Sequence, residues 1–255
     1  MNLNNKQRLS KDIVVYENFL TEHESAAVIK VLEKAVQNNT ISWTPISFYE
    51  SYSSVLPQDN DPVLEEFGLS PTFFSDIKSK IIEAVASVED IDPKSVVQIG
   101  YHTQKWEPGA FARAHSDNTD EEGNPSAFER SRYAAFIYLN EDFDGGVLNF
   151  VKNDISVKPK TGLLAAFAGG FENMHEVTLI TKGVRYTLGS FWDDREESDY
   201  PEELRKQWEE EIKKVREYQE KEKAEWQEMI KEGYKLDKKG NKYRIEELDK
   251  WRNIF

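Results

Sequence analysis

Cysteine is absent from this 255-residue chain. That excludes disulfides and thiolate metal ligands. No stretch approaches the roughly 20 consecutive apolar residues that a membrane-crossing helix needs. The opening MNLNNKQRLSKD lacks the apolar segment of a secretory signal. Together these absences lead to the expectation of a cytoplasmic chain that does not enter a membrane. Basic residues are also in short supply, 33 against 47 acidic, for a net charge of −14. Residues 201–255 carry the two signs in equal number, so the whole imbalance lies before them. A surface that acidic repels phosphate backbones and argues against nucleic acid as a partner. It can attract a basic protein, although solubility alone explains it. Histidine is scarce too, with four in the chain.

What is present fits one large domain with an extension, divided at about residue 200. The 38% hydrophobic content supports a sizeable core. Thr21-Glu-His-Glu24 is a capping box, followed by Ala26, Val28, Ile29, Leu32, Ala35 and Val36 at helical spacing. Ser70-Pro71 marks a second helix start, whose apolar stripe runs to about Val88. Strand-like runs then take over at 96–106, 110–116, 132–140, 146–151, 161–168, 175–180 and 184–192. Gly and Pro separate them at Pro108-Gly109, Asp144-Gly145-Gly146, Pro159 and Gly169-Gly170. Many short strands punctuated this way predict a sandwich or jelly roll. Residues 201–255 change character. A charged helix of about 30 residues, with Leu204, Trp208, Ile212, Val215, Tyr218, Trp226 and Met229 at helical spacing, is expected there. A small hairpin around Asp237-Lys-Lys-Gly240-Asn and a last helical turn in EELDKWRNIF follow. The helix either packs on the domain or serves as a homodimer arm anchored by its two Trp.

Two of the four histidines fall in a pattern. His115 and Asp117 form His-x-Asp in ARAHSDN, His175 stands in ENMHEV, and Arg185 follows in KGVRYTLGSFW. A lone His-x-Asp is weak evidence, and His175 or Arg185 alone would ordinarily be core or surface residues. In order and spacing they read as a metal site with a co-substrate anchor beside it. Two imidazoles and one carboxylate can occupy one face of an octahedral metal and leave the other positions open, as in non-haem Fe(II) oxygenases. In a strand His115 and Asp117 share a face. His23 and His102 lie outside the pattern and read as structural or surface residues.

Around these residues the sequence resembles a known family. WEPGAFARAHSDN, RYAAFIYLNEDFDGGVLNF, PKTGLLAAF and NMHEVTLITKGVRYTLGSFWDD are similar to the prolyl 4-hydroxylase-like Fe(II)/2-oxoglutarate-dependent dioxygenases. The IYLN and GVRY stretches particularly resemble the oxygen-sensing prolyl hydroxylases, and the likeness spans most of 12–195. It implies a mainly β fold with helices (α+β), a double-stranded β-helix (jelly-roll) core at about 96–195, N-terminal supporting helices, and a C-terminal charged helical extension outside the common pattern.

The resemblance also implies roles. His115, Asp117 and His175 would hold Fe(II). Arg185 would pair with the distal carboxylate of 2-oxoglutarate, supported by the Tyr138 hydroxyl, because a guanidinium meets a carboxylate bidentately and stays charged. Lys182 is a weaker alternative anchor. O2 would be the second co-substrate, with ascorbate as a candidate reductant. The reaction would release succinate and CO2 and hydroxylate a peptidyl proline at C4 in a protein or peptide partner. Arg113, Trp106, Phe191 and Trp192 are candidate substrate-side residues. Relatives commonly carry Trp six residues after the Arg; here Phe191 holds that place and Trp192 follows on the opposite strand face. Relatives also often have Tyr where this chain has Ala112. The polar stretch 118–132 reads as either a lid or a plain surface loop, and the aromatic, Ser-rich loop 40–60 as a wall of a peptide groove. Two alternatives stand beside this reading: the same chemistry on a free amino acid or other small molecule, and a non-catalytic binding module of the same fold.

Overall fold

The computed structural model describes residues 1–46, 49–120, 122–126, 128–236 and 242–244. In chain order the elements are β1 (Lys6–Ser10), β2 (Ile13–Tyr16), α1 (Glu22–Gln37), β3 (Thr44–Ile46), β4 (Ser51–Ser54), α2 (Pro62–Glu66) and α3 (Phe73–Glu89). The strand region continues with β5 (Val97–Trp106), β6 (Ala112–His115), β7 (Tyr133–Tyr138), β8 (Leu148–Phe150), β9 (Ile155–Val157), β10 (Leu164–Ala168), β11 (His175–Val177) and β12 (Arg185–Asp193). The extension contributes α4 (Glu202–Lys231), β13 (Tyr234–Leu236) and β14 (Lys242–Arg244). The turn between β13 and β14, expected at 237–241, and the expected final helical turn lie outside the described residues.

Two antiparallel sheets form the jelly roll. The major sheet runs β1-β2-β10-β7-β12-β5-β4-β3 and the minor one β6-β11-β8-β9. Alternation divides the major sheet between two cores. Val14, Tyr16, Tyr133, Ala135, Ile137, Leu164, Ala166, Leu188 and Trp192 face α1 and α3. Ile13, Val15, Ala134, Tyr138, Ala165 and Phe167 face the minor sheet, where they meet Ala112, Leu148, Phe150, Val157 and Val177. One face of the sheet is therefore scaffold, and the other lines the space between the sheets.

The helices form for local reasons. In α1 the capping box closes as expected: Glu24 N–H donates to Thr21 Oγ1 at 3.1 Å and Thr21 N–H to Glu24 Oε2 at 2.8 Å. Its buried face includes Ala27, Val28, Val31, Leu32 and Ala35, whereas Ala26 is exposed. The helix is thus rotated slightly from the expected stripe. The second helix starts at Phe73 rather than at Pro71, with Thr72 as its N-cap. Thr72 Oγ1 donates to the Asp76 side chain instead of capping a backbone N–H. The short α2, capped by Asp61 through Val63 N–H at 3.0 Å, was not foreseen because five residues show no periodicity. The strands β1 and β9 were likewise unforeseen, and the expected run 175–180 pairs only as far as Val177. In the extension, Trp208 is buried edge-on against Tyr200 at 4.7 Å. One of the two Trp expected to anchor a dimer is therefore used within the chain. No described helix is long and apolar enough to cross a membrane.

Trp192 corrects an expectation. It is fully buried in the helix-facing core, and its Nε1–H donates to Ser190 Oγ at 2.9 Å. It lies on the wrong face of the sheet to meet a substrate, whereas Phe191 faces inward. Trp192→Ala is expected to lower unfolding stability by about 3–5 kcal/mol, as for other large-to-small core changes. Urea denaturation checks this, and a loss below about 1 kcal/mol contradicts the placement.

Candidate metal centre and active site

The site is assembled by strand pairing. Within the minor sheet β11 pairs with β6 so that His175 stands opposite His115. Their ring centroids lie 4.5 Å apart. Asp117 follows β6 in a bend, held by its own N–H, which donates to Gly169 O at 2.9 Å. Gly169 is needed here. A Cβ on it would sit 2.5 Å from Ser131 O and 3.0 Å from Asp117 Cβ. Sequence reading took Gly169 only as a turn signal.

The three side chains converge. Asp117 Oδ1 is 4.0 Å from Nε2 of His115 and 4.0 Å from Nε2 of His175. One ligand atom from each residue falls within 4.8 Å of the others. Those separations exceed a direct hydrogen bond and leave space between the atoms. Each imidazole is oriented by a carbonyl two residues earlier: His115 Nδ1 lies 2.7 Å from Arg113 O and His175 Nδ1 3.0 Å from Asn173 O. A proton on Nδ1 serves both contacts and turns the Nε2 lone pair inward, the orientation a metal ligand needs. Asn173 is itself fully buried, and its Nδ2 donates to Ala168 O at 3.0 Å.

Electrostatics favour neutral imidazoles. Burial pulls His115 down to about 4, assisted by His175 and opposed by Asp117. Burial also pulls His175 down to about 4. Burial pushes Asp117 up to about 6, opposed by His115. Its Oδ2 is buried and accepts no hydrogen bond. Two neutral nitrogen donors and a destabilised carboxylate call for a cation, which would hold the carboxylate ionised.

Beside this trio is a narrow cleft of about 350 Å³, counting its open mouth. Tyr49, Gln104, Trp106, Phe136, Tyr138 and Arg185 form one side of it, and Ala112, Leu148 and Val177 join the histidines on the other. Arg185, at the start of β12, is 3% exposed and lies between two rings, 4.8 Å from that of Trp106 and 5.1 Å from that of Tyr138. Its Nε and Nη1 meet no acceptor in hydrogen-bond geometry, and the Tyr138 hydroxyl lies close enough to interact with the guanidinium without reaching that geometry. Burial raises the Tyr138 hydroxyl, opposed by the guanidinium. Gly146 lets Arg185 pack this way, because a Cβ there would lie 3.1 Å from Arg185 Cδ.

The remaining candidates separate. Trp106 is buried in the wall of the cleft. Phe191 packs edge-on against Phe136 at 6.0 Å, one ring behind the cleft. Arg113 has an exposed side chain and contributes its carbonyl. Lys182 is exposed in a bridge with Asp144 and does not line the cleft. His102 stacks on Phe191 at 5.8 Å, away from the trio. The loop after Asp117 is fastened at its far end: Arg130 Nε lies 3.1 Å from Asp193 Oδ2, and Arg132 pairs with Asp194 at 2.8 Å. Sequence reading missed Tyr49, Gln104 and Phe136 as individual site residues. The only available signal was the aromatic character of loop 40–60.

The trio predicts a pH dependence. Protons compete with a cation mainly at Asp117, so Co(II) binding to the apo protein should weaken as pH falls through about 6, with no separate histidine step near the free-imidazole value. Titration followed by visible absorption measures this, and a midpoint near 6.5 or above contradicts it. Gly169→Ala should weaken the same binding by about 10–100-fold, the usual effect of disturbing a ligand's support.

Comparison with known proteins agrees with this geometry. The sequence model of the 2OG-Fe(II) oxygenase superfamily matches residues 101–193. Prolyl 3-hydroxylase 2 of Mus musculus is 40% identical over 83 residues, which cover 28% of this chain and 12% of that protein. Prolyl 3-hydroxylase 3 of Mus musculus is 35% identical over 91 residues, 34% of this chain and 12% of that protein. The matched region is thus a small part of these relatives. Among solved structures, a Pseudomonas putida prolyl-4-hydroxylase superposes with TM-score 0.54 at 19% identity, covering 72% of this chain and 93% of its own. A viral collagen prolyl hydroxylase from Paramecium Bursaria Chlorella virus-1, solved as a 2OG complex, gives TM-score 0.52 at 16% identity, covering 71% and 94%. These structures share the jelly-roll fold. Residues 101–193 therefore match the 2OG-Fe(II) oxygenase superfamily, and this part of the chain is similar to the prolyl hydroxylases.

Proposed function

We propose that this protein is an Fe(II)- and 2-oxoglutarate-dependent dioxygenase that hydroxylates proline in a peptide. The observation that carries the reading is a buried Arg185 with open donors, set across one cleft from the His115, Asp117 and His175 trio. The residues fit the implied groups. The nitrogen and oxygen donor set suits Fe(II). A buried guanidinium without a counter-anion is costly, so the cleft calls for a carboxylate.

A keto dicarboxylic acid satisfies both ends of the cleft. Arg185 and Tyr138 take the distal carboxylate, while the other end lies toward the trio. Trp106 and Tyr138 hold the guanidinium in place, so little ordering is needed on binding. Phe136, Leu148 and Val177 keep water from that end. His115, Asp117 and His175 would hold the iron, which when bound supplies the oxygen chemistry. In the overall reaction one O2 converts 2-oxoglutarate into succinate and CO2 and leaves its second oxygen in a substrate C–H bond. Ascorbate as a reductant belongs to the same proposal.

A proline-containing peptide is supported by the relatives, which are prolyl hydroxylases. One of the fold neighbours was solved with a hypoxia inducible factor peptide fragment, at 16% identity. The position on the ring differs between the two likenesses. The motif resemblance implies C4, whereas the sequence relatives are prolyl 3-hydroxylases. A homodimer through α4 rests on the charged helix alone.

Incubation with Fe(II), 2-oxoglutarate, ascorbate and proline-rich peptides should yield succinate and a peptide one oxygen heavier, with NMR distinguishing 3- from 4-hydroxyproline. A gain of oxygen on free proline alone moves the reading to a small-molecule oxygenase. His175→Ala should abolish succinate formation, and wild-type rates in that variant would falsify the iron assignment. Arg185→Ala should raise the 2-oxoglutarate requirement roughly 100-fold, equivalent to about 3 kcal/mol for truncating one partner of a buried charge pair. An unchanged requirement moves the anchor elsewhere.

A further inference from the structure

Among the described residues, Tyr49 is the one lining the cleft that lies outside residues 101–193. It comes from the connection between β3 and β4, and Phe111 N–H donates to its carbonyl at 3.3 Å, fastening that connection to the segment entering β6. Its ring is 5.8 Å from that of His115 and 5.3 Å from that of Trp106, tilted to both. Trp106 in turn lies against Arg185. Tyr49 therefore touches both halves of the site: a member of the trio on one side and the wall behind the guanidinium on the other.

Its position in depth is also informative. Trp106, His175, Arg185 and Tyr138 are all at most 3% exposed, whereas Tyr49, like His115 and Phe136, is only partly buried. It stands at the rim, where a substrate must pass. From β6, the cleft is lined by the His115 ring and the methyl of Ala112. The next residue, Glu50, is buried at 5% exposure with φ +46, a left-handed conformation that a side chain other than Gly or Asn rarely takes. Backbone held in that region beside a cleft marks a place where the surrounding fold imposes a direction. Here the turn carries the chain from Tyr49 straight into β4.

We propose that Tyr49 is a positioning and specificity residue. Its ring forms the rim wall against which the target residue of the substrate is held, so that oxidation of 2-oxoglutarate is coupled to attack on one C–H bond. This rests on the oxygenase reading above. Without that wall the co-substrate is still bound and oxidised, but the substrate C–H is poorly placed. The two electrons it would have given must then come from ascorbate, and water replaces the hydroxylated product. Tyr49 acts through shape rather than through its hydroxyl, so phenylalanine should serve.

The test compares wild type, Tyr49→Ala and Tyr49→Phe, each with Fe(II), 2-oxoglutarate and ascorbate, with and without a proline-rich peptide. Succinate and hydroxylated peptide are counted separately. Co(II) affinity of each apo protein and its melting temperature are measured alongside. In Tyr49→Ala the ratio of succinate to hydroxylated peptide and the peptide KM should each rise about tenfold, the scale expected for a misplaced reacting group. In Tyr49→Phe, which keeps the ring, Co(II) affinity and peptide-independent succinate formation should stay within about twofold of wild type, a change of about 0.4 kcal/mol or less. Tyr49→Phe should behave as wild type in all of these. Unchanged coupling and KM in Tyr49→Ala overturn the proposal. Lost Co(II) affinity or a lowered melting temperature in that variant also overturns it, by making Tyr49 a support for His115. No succinate from wild type under any condition defeats the oxygenase reading, and the wall with it, and is distinguished by that wild-type result.

Discussion

Everything at this site depends on one strand pairing. β11 must meet β6 with His175 opposite His115, because a shift by one residue would turn one imidazole to the other face of the minor sheet. The register is set by its surroundings. Val177 and Leu148 bury their side chains against the major sheet, and β8 pairs with β11 on its other side, His175 opposite Phe150. Phe150 and Phe167 pack around the His175 ring at 5.9 and 4.9 Å. The hydrophobic core between the sheets therefore fixes the donor positions, and the backbone carbonyls of Arg113 and Asn173 fix their tautomer.

A second constraint is the two-faced major sheet. Along β12, Arg185 lines the cleft and Phe191 lies on the same sheet face behind it, while Tyr186, Leu188 and Trp192 face the helices. The same strand thus bolts the sheet to α1 and α3 and delivers the buried guanidinium. Burying that charge is unfavourable unless an anion joins it, and the open donors of Arg185 together with the Tyr138 hydroxyl provide its place. On the proposed reading the cleft is polarised, with a cation site of nitrogen and oxygen donors at one side and an anion site at the other. A small dicarboxylate satisfies both.

Much of this was legible in the chain because it is local. His115 and Asp117 are two residues apart, the capping box of α1 needs only four residues, and the continuous apolar runs of β7 and β10, buried on both faces, are plain in RYAAFIYLN and LLAAF. What escaped depends on long-range placement. Tyr49 reaches the site through a hydrogen bond to Phe111, which no local pattern announces. Gly169 matters because its missing Cβ makes room for Asp117, a contact that appears only once β10 lies beside the bend. Trp192 was mistaken for a substrate residue because alternation separates it from Phe191 without saying which of the two faces inward. The short elements β1, β9 and α2 carry too few residues to declare a period.

The central claim is that the trio and Arg185 act on one ligand. Calorimetric titration of 2-oxoglutarate under anaerobic conditions tests it most directly, using the apo protein and the Fe(II)-loaded protein, each with and without the Arg185 side chain. Tight binding of one equivalent is expected only when metal and Arg185 are both present, with a large loss on removing either. Equal affinity in the apo and loaded proteins, or affinity indifferent to Arg185, would contradict it.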